Sequence, residues 1–472
     1  MTLQIPFDNS FARLPATFYS RVGPEPVSDP SLIAFNADLA KLLQISPGDV
    51  AEMARVFAGN ETPKGAETLA QLYSGHQFGT YNPQLGDGRA VLLGETIGSD
   101  GKRRDIQLKG SGRTPYSRQG DGRAWMGPVL REYVVSEAMH ALGIPTTRAL
   151  SAVATGDTVW REGGLPGAVL TRVASSHLRV GSFQIFAARG DKQAVRQLTD
   201  YAIERHYPDA DGPMGLLRSV RDAQSRLIAA WMSVGFIHGV MNTDNCSISG
   251  ETIDYGPCAY MDVYHPHTVF SSIDRMGRYA YANQPDIAVW NLAQLATALI
   301  QQLDDPQAGV EEATEIIHAM PQMTQDHWLN RFRAKLGISS AKDGDQDLVK
   351  DLLSRMAENQ SDFTNTFRAL SGDQARDQFT DPLAFETWEE GWRQRLEGEP
   401  DPVAVMNAAN PAFIPRNHRI EEMIASAVAG DFAPFHRLNT VLANPYEEQP
   451  DHADLQRPPL PNEVVKATFC GT

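Results

Sequence analysis

The residues whose types and spacing are best suited to chemistry lie between His238 and Gly256. The chain reads His-Gly-Val-Met-Asn-Thr-Asp-Asn from His238 to Asn245, and Asp254 begins an Asp-Tyr-Gly triplet nine residues after Asn245. The oxygens of Asn245 and Asp254 are hard ligands suited to Mg²⁺ that bridges nucleotide phosphates. Asp244 is the candidate general base, because its carboxylate can accept a hydroxyl proton next to a metal ligand.

This spacing is similar to that of the protein-kinase catalytic loop, His-x-Asp-x-x-x-x-Asn followed by Asp-Phe-Gly. The interval of seven residues from His238 to Asn245 matches it. Val240 stands where kinases have their catalytic aspartate, so Asp244 is the substitute base. The alternative is an Asx-rich turn followed by a coincidental Asp-Tyr-Gly.

A second candidate pair is Lys109 with Glu132. Lys109 ends a strand-like apolar run, and Glu132 follows 23 residues later in a stretch with helical periodicity. A strand lysine paired with a helix glutamate is how kinase folds hold a lysine against nucleotide phosphates. Such spacings also arise by chance, so the pair gains weight only together with the segment after His238.

Three segments repeat a Gly-x-Gly-Arg pattern, at residues 86–89, 110–113 and 120–123. Each offers unobstructed backbone N–H groups followed by a guanidinium that can grip an anion. Residues 89–131 hold nine Lys or Arg against four Asp or Glu, which suits a polyphosphate pocket. The alternative is hairpin turns with solvated arginines. Neither the P-loop nor the dinucleotide-binding glycine fingerprint is present.

The composition excludes several classes of protein. The 472 residues carry 42 Lys+Arg against 58 Asp+Glu, a net charge of -16, which argues against a general nucleic-acid coat. Three cysteines cannot form a disulfide framework. We expect a cytoplasmic protein, since no apolar stretch is long enough for a membrane helix and the N-terminus is unlike a secretory signal.

The elements that must position these residues change in character along the chain. Residues 1–80 mix Pro-rich connections with short helical patterns such as 31–43. Residues 81–175 alternate Gly-rich turns with strand-like runs, interrupted by a helix predicted at 127–142. Helical periodicity dominates from about 190 to 440, beginning with an amphipathic helix through Leu216 and Val234, and a Pro-rich tail follows. The pattern predicts an α+β fold, with a sheet-rich lobe before a helical one.

The chain resembles the selenoprotein O (SelO/YdiU) family of atypical protein-kinase-like proteins. The resemblance extends over nearly the whole chain. The segments that carry the resemblance are Tyr-Ser-Gly-His-Gln-Phe-Gly at 73–79, Leu-Gly-Asp-Gly-Arg at 85–89, the blocks at 107–118 and 239–256, and Asn-Pro-Ala-Phe-Ile-Pro-Arg-Asn at 410–417 through to the C-terminal cysteine.

The resemblance implies a bilobal protein-kinase-like fold with N- and C-terminal extensions. The implied divisions are an N-terminal extension (1–80), an N-lobe that binds nucleotide phosphates (81–175), a helical C-lobe with the catalytic and metal-binding loop (176–440) and a tail (441–472). The implied activity is transfer of AMP from ATP to Ser, Thr or Tyr hydroxyls of proteins, with Mg²⁺ or Mn²⁺ as the metal and pyrophosphate as the leaving group.

The resemblance also implies roles for individual residues. Asp244 would be the general base, Asn245 and Asp254 would bind the metal, and Asp254 would also contact the nucleotide. For Arg172 and Arg179 the sequence alone favours surface arginines, and only the resemblance assigns them to the phosphates. The other residues implied to bind the nucleotide are Lys109, oriented by Glu132, with Gly86, Gly88, Arg89, Asp121 and Gly122.

Members of the family carry selenocysteine or cysteine third from the C-terminus, and Cys470 fits this pattern. In some members that residue is linked to a cysteine after the Asp-Tyr-Gly triplet. Cys258 is the only cysteine of this chain in that segment, so a redox-sensitive Cys258–Cys470 bridge is a hypothesis. The alternative is that Cys246 and Cys258 are small core residues.

Two other functions stay open because Val240 replaces the usual aspartate. One is a conventional kinase that transfers the γ-phosphate, and the other is a catalytically inactive pseudokinase that binds ATP. The expected partners are ATP and protein substrates, with no nucleic acid and no membrane, and the expected state is a monomer.

Overall fold

The computed structural model describes residues 2–469, which contain twelve β-strands and fourteen α-helices. The strands are β1 (Tyr19–Arg21), β2 (Ser31–Phe35), β3 (Leu69–Gln71), β4 (Gly75–Gln77), β5 (Thr80–Asn82), β6 (Ala90–Ile97), β7 (Arg103–Lys109), β8 (Ala124–Trp125), β9 (Arg148–Trp160), β10 (Gly164–Ala174), β11 (Phe236–Ile237) and β12 (Ala259–Tyr260). The helices are α1 (Ala37–Leu42), α2 (Val50–Ala58), α3 (Met126–Ala141), α4 (Val180–Ala188), α5 (Lys192–His206), α6 (Gly212–Ser233), α7 (Gln284–Leu299), α8 (Pro306–Lys335), α9 (Asp345–Glu358), α10 (Phe363–Ala369), α11 (Pro382–Leu396), α12 (Pro402–Ala409), α13 (Asn417–Val428) and α14 (Ala433–Leu442).

The main sheet is antiparallel and follows the order β1-β3-β6-β7-β10-β9-β2, with β8 paired to β10. Strand β7 lies between β6 and β10, with Lys109 opposite Ala90 on one side and Leu170 on the other. Arg172 of β10 lies directly opposite Gln107 of β7. Opposite residues of an antiparallel pair project to the same face, so this register brings Gln107 and Arg172 together.

The two faces of the sheet are buried by different helices. Successive strand residues alternate between two apolar clusters: Leu92 packs in the cluster that contains α3, and Leu93 packs in the one that contains α2. This alternation follows from the two-residue period of a strand. Ile106 and Leu108 belong to the α2 side, so Gln107 and Lys109 project toward α3.

The helical part begins after β10 and is built around α6. This helix buries Leu216, Leu217, Val220 and Leu227 along one stripe and packs against α7 and α8. It ends before Gly235, whose positive φ of 70° favours glycine. The amphipathic helix predicted through Leu216 is therefore confirmed, as are the predicted helix at 127–142, seen as α3, and the α+β class.

The prediction of a helical pattern across residues 31–43 is wrong for its first half. Ser31–Phe35 forms β2 and pairs with β9 at the sheet edge. The helix starts only after Asn36, whose side chain accepts a hydrogen bond from Leu39 N at 3.0 Å. Strand pairing of this segment depends on β9, more than 100 residues away, and local periodicity carries no such information.

The C-terminal tail follows α14 and contacts the loop after β12. Beyond a short 3-10 turn at Pro450–Leu455 its backbone is irregular up to Thr468, which donates to the Phe270 carbonyl at 2.7 Å. Thr468 is buried. Across residues 2–469, no helix combines the length and the apolar character needed to span a membrane.

Candidate active site

Lys109 is the centre of a group of ion pairs at the end of β7. Its Nζ lies 2.6 Å from Oε2 of Glu132 on α3 and 2.6 Å from Oδ1 of Asp254. Glu132 is buried because it sits on the helix face that covers the sheet. The structure thus joins the strand lysine, the helix glutamate and the aspartate of the Asp-Tyr-Gly triplet.

Arg172 completes this group from β10. Its Nη1 lies 2.7 Å from Asp254 Oδ1 and 3.3 Å from Glu132 Oε1, and its Nη2 donates to Gln107 Oε1 at 2.7 Å. The arginine is only 2% exposed. The sequence-based expectation of a surface arginine is therefore wrong, because β10 lies inside the sheet and α3 covers this face.

Arg179 approaches the same aspartate from the residue before α4. It is also only 2% exposed, its Nη1 donates to the Asp244 carbonyl at 3.0 Å, and it stacks 4.3 Å from the Tyr73 ring centre. Its Nη1 lies 3.7 Å from Asp254 Oδ2. Its Nη2 is buried without a hydrogen-bond partner, with Asp87 Oδ1 3.9 Å away. A buried guanidinium with an unused donor is suited to an anionic ligand.

Positive and negative charges are equal in number in this group of six side chains, which is called the Lys109 cluster below. Lys109, Arg172 and Arg179 supply three cations, and Glu132, Asp254 and Asp87 supply three carboxylates. Burial disfavours the ionised form of Asp254, but the charges of Lys109, Arg172 and Arg179 outweigh it and hold the pKa of this carboxyl well below its usual range. Asp254 is therefore a carboxylate at neutral pH, as a metal ligand must be.

The backbone of Asp254 is also unusual. Its φ is 65°, in the left-handed region that non-glycine residues seldom occupy, and the N–H of Gly256 donates to its carbonyl at 3.0 Å. The tight turn directs its side chain to the cations. Backbone strain of this kind is concentrated at functional sites.

Asp244 lies on a short 3-10 turn at Thr243–Asn245 beneath the β4–β5 hairpin. Its Oδ2 accepts a hydrogen bond from Gln77 Nε2 at 3.1 Å, and its Oδ1 is buried without a hydrogen-bond partner. Burial raises the pKa of Asp244 to about 6. A Cβ atom at Gly75 would lie 2.7 Å from Oδ1, so the hairpin needs glycine there to pass over the carboxylate. A carboxylate with a raised pKa and an unused oxygen is equipped to take a proton.

Asn245 and Asn242 fix this turn. Asn245 Nδ2 donates to the Val240 carbonyl at 3.0 Å, which orients the amide so that its oxygen points the other way. Asn242 Oδ1 accepts from Phe78 N at 3.1 Å and from the Tyr279 hydroxyl at 2.6 Å. The amide oxygen of Asn245 is thus left available to a ligand.

The residues present fit a divalent cation that also binds phosphate oxygens. Asn245 and Asp254 offer one amide and one carboxylate group, both hard donors. Within residues 2–469 no group of three or more His, Cys, Asp or Glu is arranged to hold a metal. Mg²⁺ is commonly held by one or two protein carboxylates with substrate phosphates and water completing its coordination, so a two-residue site suits it.

The three Gly-x-Gly-Arg segments directly precede β6, follow β7 and precede β8. Gly86 and Gly88 pack against Tyr116, where added Cβ atoms would lie 2.5 Å from its Cγ and 2.9 Å from its carbonyl oxygen. Gly122 is similarly close to the backbone of Gly112. Arg89 directly precedes β6, and its carbonyl accepts from Gly110 N at 2.7 Å, next to Lys109.

Asp121 differs from the other predicted nucleotide residues. It pairs with Arg161 at 2.8 Å and accepts from Arg123 N at 2.9 Å. Arg123 in turn donates to the carbonyls of Glu25 and Pro26. The third Gly-x-Gly-Arg segment therefore uses its arginine to anchor the N-terminal part of the chain, and Asp121 faces Arg161 rather than the Lys109 cluster.

Cys258 is fully buried after the Asp-Tyr-Gly triplet, and burial raises the pKa of its thiol to about 11. Its carbonyl accepts from Arg131 Nη2 at 2.6 Å. Cys470 lies outside the described residues, so the Cys258–Cys470 bridge stays a prediction. Cys246 is buried as well, as expected of a small core residue.

Several residues of the site were missed from the sequence, among them Gln107, Asp87, Gln77 and Tyr73. Gln107 Nε2 donates to Asp87 Oδ2 at 3.1 Å, which turns its amide oxygen toward Arg172. Gln107 stands two residues before Lys109, so the strand period could have placed it on the same face. Tyr73 and Gln77 lie in the 73–79 segment that carries the family resemblance, but no local periodicity places them at the site, which they reach through long-range packing.

Comparison with known proteins gives extensive similarity. The sequence profile of the family described as protein adenylyltransferase SelO matches residues 1–443. The protein nucleotidyltransferase YdiU of Ruegeria pomeroyi is 73% identical over 472 residues and all of both chains, and that of Roseobacter denitrificans is 66% identical over the same span. The Rhizobium meliloti protein of the same name is 56% identical over 486 positions and 99% of each chain. The similarity therefore covers the sheet, the helices and every residue of the Lys109 cluster.

Proposed function

The chain belongs to the protein adenylyltransferase SelO family, and we propose that it transfers AMP from ATP to Ser, Thr or Tyr hydroxyls of target proteins. It is a protein nucleotidyltransferase by this membership. Beyond this membership, the proposal specifies which nucleotide is used, which groups accept the AMP and which residues act on them.

We propose a bilobal kinase-like arrangement of this mixed fold, divided at about residues 80, 175 and 440 as the sequence predicts. The support is the order of parts: an antiparallel sheet, a helix whose Glu132 pairs with a strand lysine, and then a long helix followed by the loop that carries Asp244. Kinase folds hold the phosphates with the same sequence of parts.

The convergence of Lys109, Arg172 and Arg179 around one carboxylate carries the proposal. Their nitrogens lie 2.6, 2.7 and 3.7 Å from the Asp254 carboxylate. A triphosphate would add phosphate oxygens as further partners of these three cations. Arg172 and Arg179 are almost fully buried, where electrostatic interactions are strong. The unpartnered Nη2 of Arg179 would donate to a phosphate oxygen.

The reaction forms a bond between the acceptor oxygen and the α-phosphorus, and breaks the bond from that phosphorus to the oxygen bridging to the β-phosphate. The hydroxyl proton passes to Asp244, whose raised pKa of about 6 leaves it ionised yet basic at neutral pH. The bonding electrons leave with pyrophosphate, and Lys109, Arg172 and Arg179 stabilise its growing charge.

Asn245 and Asp254 would hold the Mg²⁺ or Mn²⁺. The bound ion would supply Lewis-acid neutralisation of phosphate charge. Gly86, Gly88, Arg89 and Gly122 would line the nucleotide near the start of β6, with Asp121 at the edge of this region. The monomeric state, the cytoplasmic location and the absence of a nucleic-acid partner stay predictions.

The test uses ATP radiolabelled at either the α- or the γ-phosphate, with the purified full-length chain and an acceptor-protein mixture. We expect protein-bound label from the α-position only, with pyrophosphate released in equal amount. Label from the γ-position only would instead identify a conventional kinase. ATP binding without transfer of either label would identify the pseudokinase, and both results would overturn the proposal.

A further inference from the structure

The loop from Val263 to Arg278 presents apolar and basic side chains next to the 3-10 turn that carries Asp244, which is called the catalytic turn below. Met276 is 92% exposed and Ile273 is 59% exposed. Arg275 is exposed and Arg278 is half-buried in the same stretch. Ile273, Arg275, Met276 and Arg278 together are called the loop platform below.

The loop platform is connected to Asp244 through neighbouring residues on two sides. The hydroxyl of Tyr279, next to Arg278, donates to Asn242 Oδ1 at 2.6 Å, two residues before Asp244. On the other side, the hairpin that carries Gln77 reaches the platform, because a Cβ atom at Gly79 would lie 3.8 Å from Arg278 Cζ. Since Gln77 also hydrogen-bonds the Asp244 carboxylate, the platform flanks the position of the proton acceptor.

The charge of the loop platform contrasts with the rest of the protein. Asp274 is the only acidic residue from 263 to 278, and it is buried, accepting from the N–H groups of Arg278 and Tyr279. Among the ion pairs of residues 2–469, none involves Arg275 or Arg278. Two guanidiniums without a carboxylate partner, in a chain of net charge -16, are suited to an acidic ligand.

The loop platform is held in place by the tail rather than being a loose loop. Thr468 pairs with the Phe270–Ser272 backbone, and Ser272 N donates to the Thr468 carbonyl at 3.0 Å. Phe469, the residue after Thr468, is 72% exposed. Exposed large apolar side chains on an anchored backbone are typical of interaction surfaces.

We propose that the loop platform docks the acceptor protein. Its occupant would be an extended segment in which the hydroxyl residue is flanked by Asp or Glu and by a large apolar side chain. Arg275 and Arg278 would pair with the acidic residues, and Ile273 and Met276 would cover the apolar one. The proposal rests on the proposed function, because it assigns the acceptor that the Asp244 site modifies.

The test compares two synthetic peptides with the same central Ser, Thr and Tyr. One has Asp, Glu and Leu around them, and the other has Lys and Ser. We expect the acidic peptide to accept label with a kcat/KM about tenfold higher, and to bind more tightly in fluorescence anisotropy. Its advantage should shrink with added salt, since rim charges are screened.

The variants Arg275→Glu and Met276→Ser separate charge from apolar contact. Arg275→Glu should remove or reverse the peptide preference, and Met276→Ser should weaken binding of the Leu-containing peptide, with the KM for ATP unchanged in both. Arg393→Glu on α11 makes the same charge change at another exposed arginine and should have no effect. Equal binding of both peptides, or an unchanged preference in Arg275→Glu, would overturn the proposal that the loop platform docks the acceptor protein.

The two proposals fail in different ways. Label from the γ-position, or from neither position, would overturn the adenylyl transfer. The binding preference for the acidic peptide, measured by fluorescence anisotropy, and its loss or reversal in Arg275→Glu would still test the docking role of the loop platform, because peptide binding needs no transfer.

Discussion

Lys109 Nζ lies 2.6 Å from Oδ1 of Asp254, so the proposed phosphate-binding lysine and the proposed metal ligand contact one another directly. Arg172 Nη1 shares the same oxygen at 2.7 Å. A divalent cation bound by Asp254 would compete with both side chains for that oxygen. Metal binding would thereby release Lys109 and Arg172 to phosphate oxygens, which couples binding of the metal to binding of the nucleotide.

Asp254→Asn tests this coupling while keeping the size of the side chain. We expect label transfer to fall roughly 10²- to 10³-fold, since both the metal ligand and the carboxylate facing three cations are lost. Mn²⁺ binding, followed by electron paramagnetic resonance with nucleotide present, should weaken in parallel. Transfer close to the original rate would contradict the assignment of Asp254.

Asp345→Asn is the matched control for that variant. Asp345 is a buried carboxylate between Arg333 at 2.7 Å and Arg395 at 2.6 Å, at the start of α9 and apart from the cluster. Its loss should lower the thermal midpoint, since two guanidiniums lose their partner. Mn²⁺ binding and the transfer rate of the folded protein should stay unchanged.

Asp244→Asn removes the proposed proton acceptor without removing the hydrogen-bond acceptor used by Gln77. We expect kcat to fall roughly 10²- to 10⁴-fold, the usual contribution of a general base. The Kd for ATP should change little, because the phosphates contact Lys109 and the arginines instead. Equilibrium dialysis and single-turnover labelling measure the two quantities, and a variant with undiminished kcat would exclude Asp244 as the base.

Gln107→Met tests a positioning residue that acts through Arg172. The change keeps the length of the side chain and removes the 2.7 Å bond to Arg172 Nη2. Hydrogen bonds to charged groups are worth about 1.5–3 kcal/mol, so we expect kcat/KM for ATP to fall about ten- to a hundredfold. Gln224→Met, which removes a buried bond to the Ser247 carbonyl, controls for a general loss of packing. An equal loss of activity in both variants would assign Gln107 a structural role only.

The parts of the site that the sequence predicts are those fixed by short-range geometry. Asp244, Asn245 and Asp254 lie within one loop, and their residue types and spacing already indicate metal and base chemistry. Lys109 ends β7 and Glu132 lies in α3, the next helix along the chain, so their pairing also follows from elements that are close in sequence.

The rest of the site depends on register and long-range packing. Arg172 meets Gln107 only because β10 pairs with β7 at that register, and a shift by one residue would turn it to the α2 face. Gln77 reaches Asp244 because the β4–β5 hairpin crosses the catalytic turn 167 residues away in sequence. Neither contact follows from a local periodicity that single-sequence reasoning can detect.

Lys335 gives a prediction about stability outside the site. It is 2% exposed at the end of α8, with Nζ 4.3 Å from the Phe367 ring centre and 5.3 Å from that of Phe363. Burial, aided by the charge of Arg331, lowers its pKa to about 7. The unfolded chain therefore holds more protons at this residue between pH 7 and about 10.4, the ordinary lysine value, and the contribution of Lys335 to stability rises with pH across that window.

The measurement compares the original chain with Lys335→Met in urea unfolding from pH 7 to pH 9.5. Relative to the variant, the original chain should gain up to about 1.4 kcal/mol of unfolding free energy for each pH unit, the limit for one proton. Below pH 7 the difference should level off, because the lysine is then protonated in both states. Parallel curves for the two proteins across the whole range would mean that Lys335 keeps an ordinary pKa in the fold.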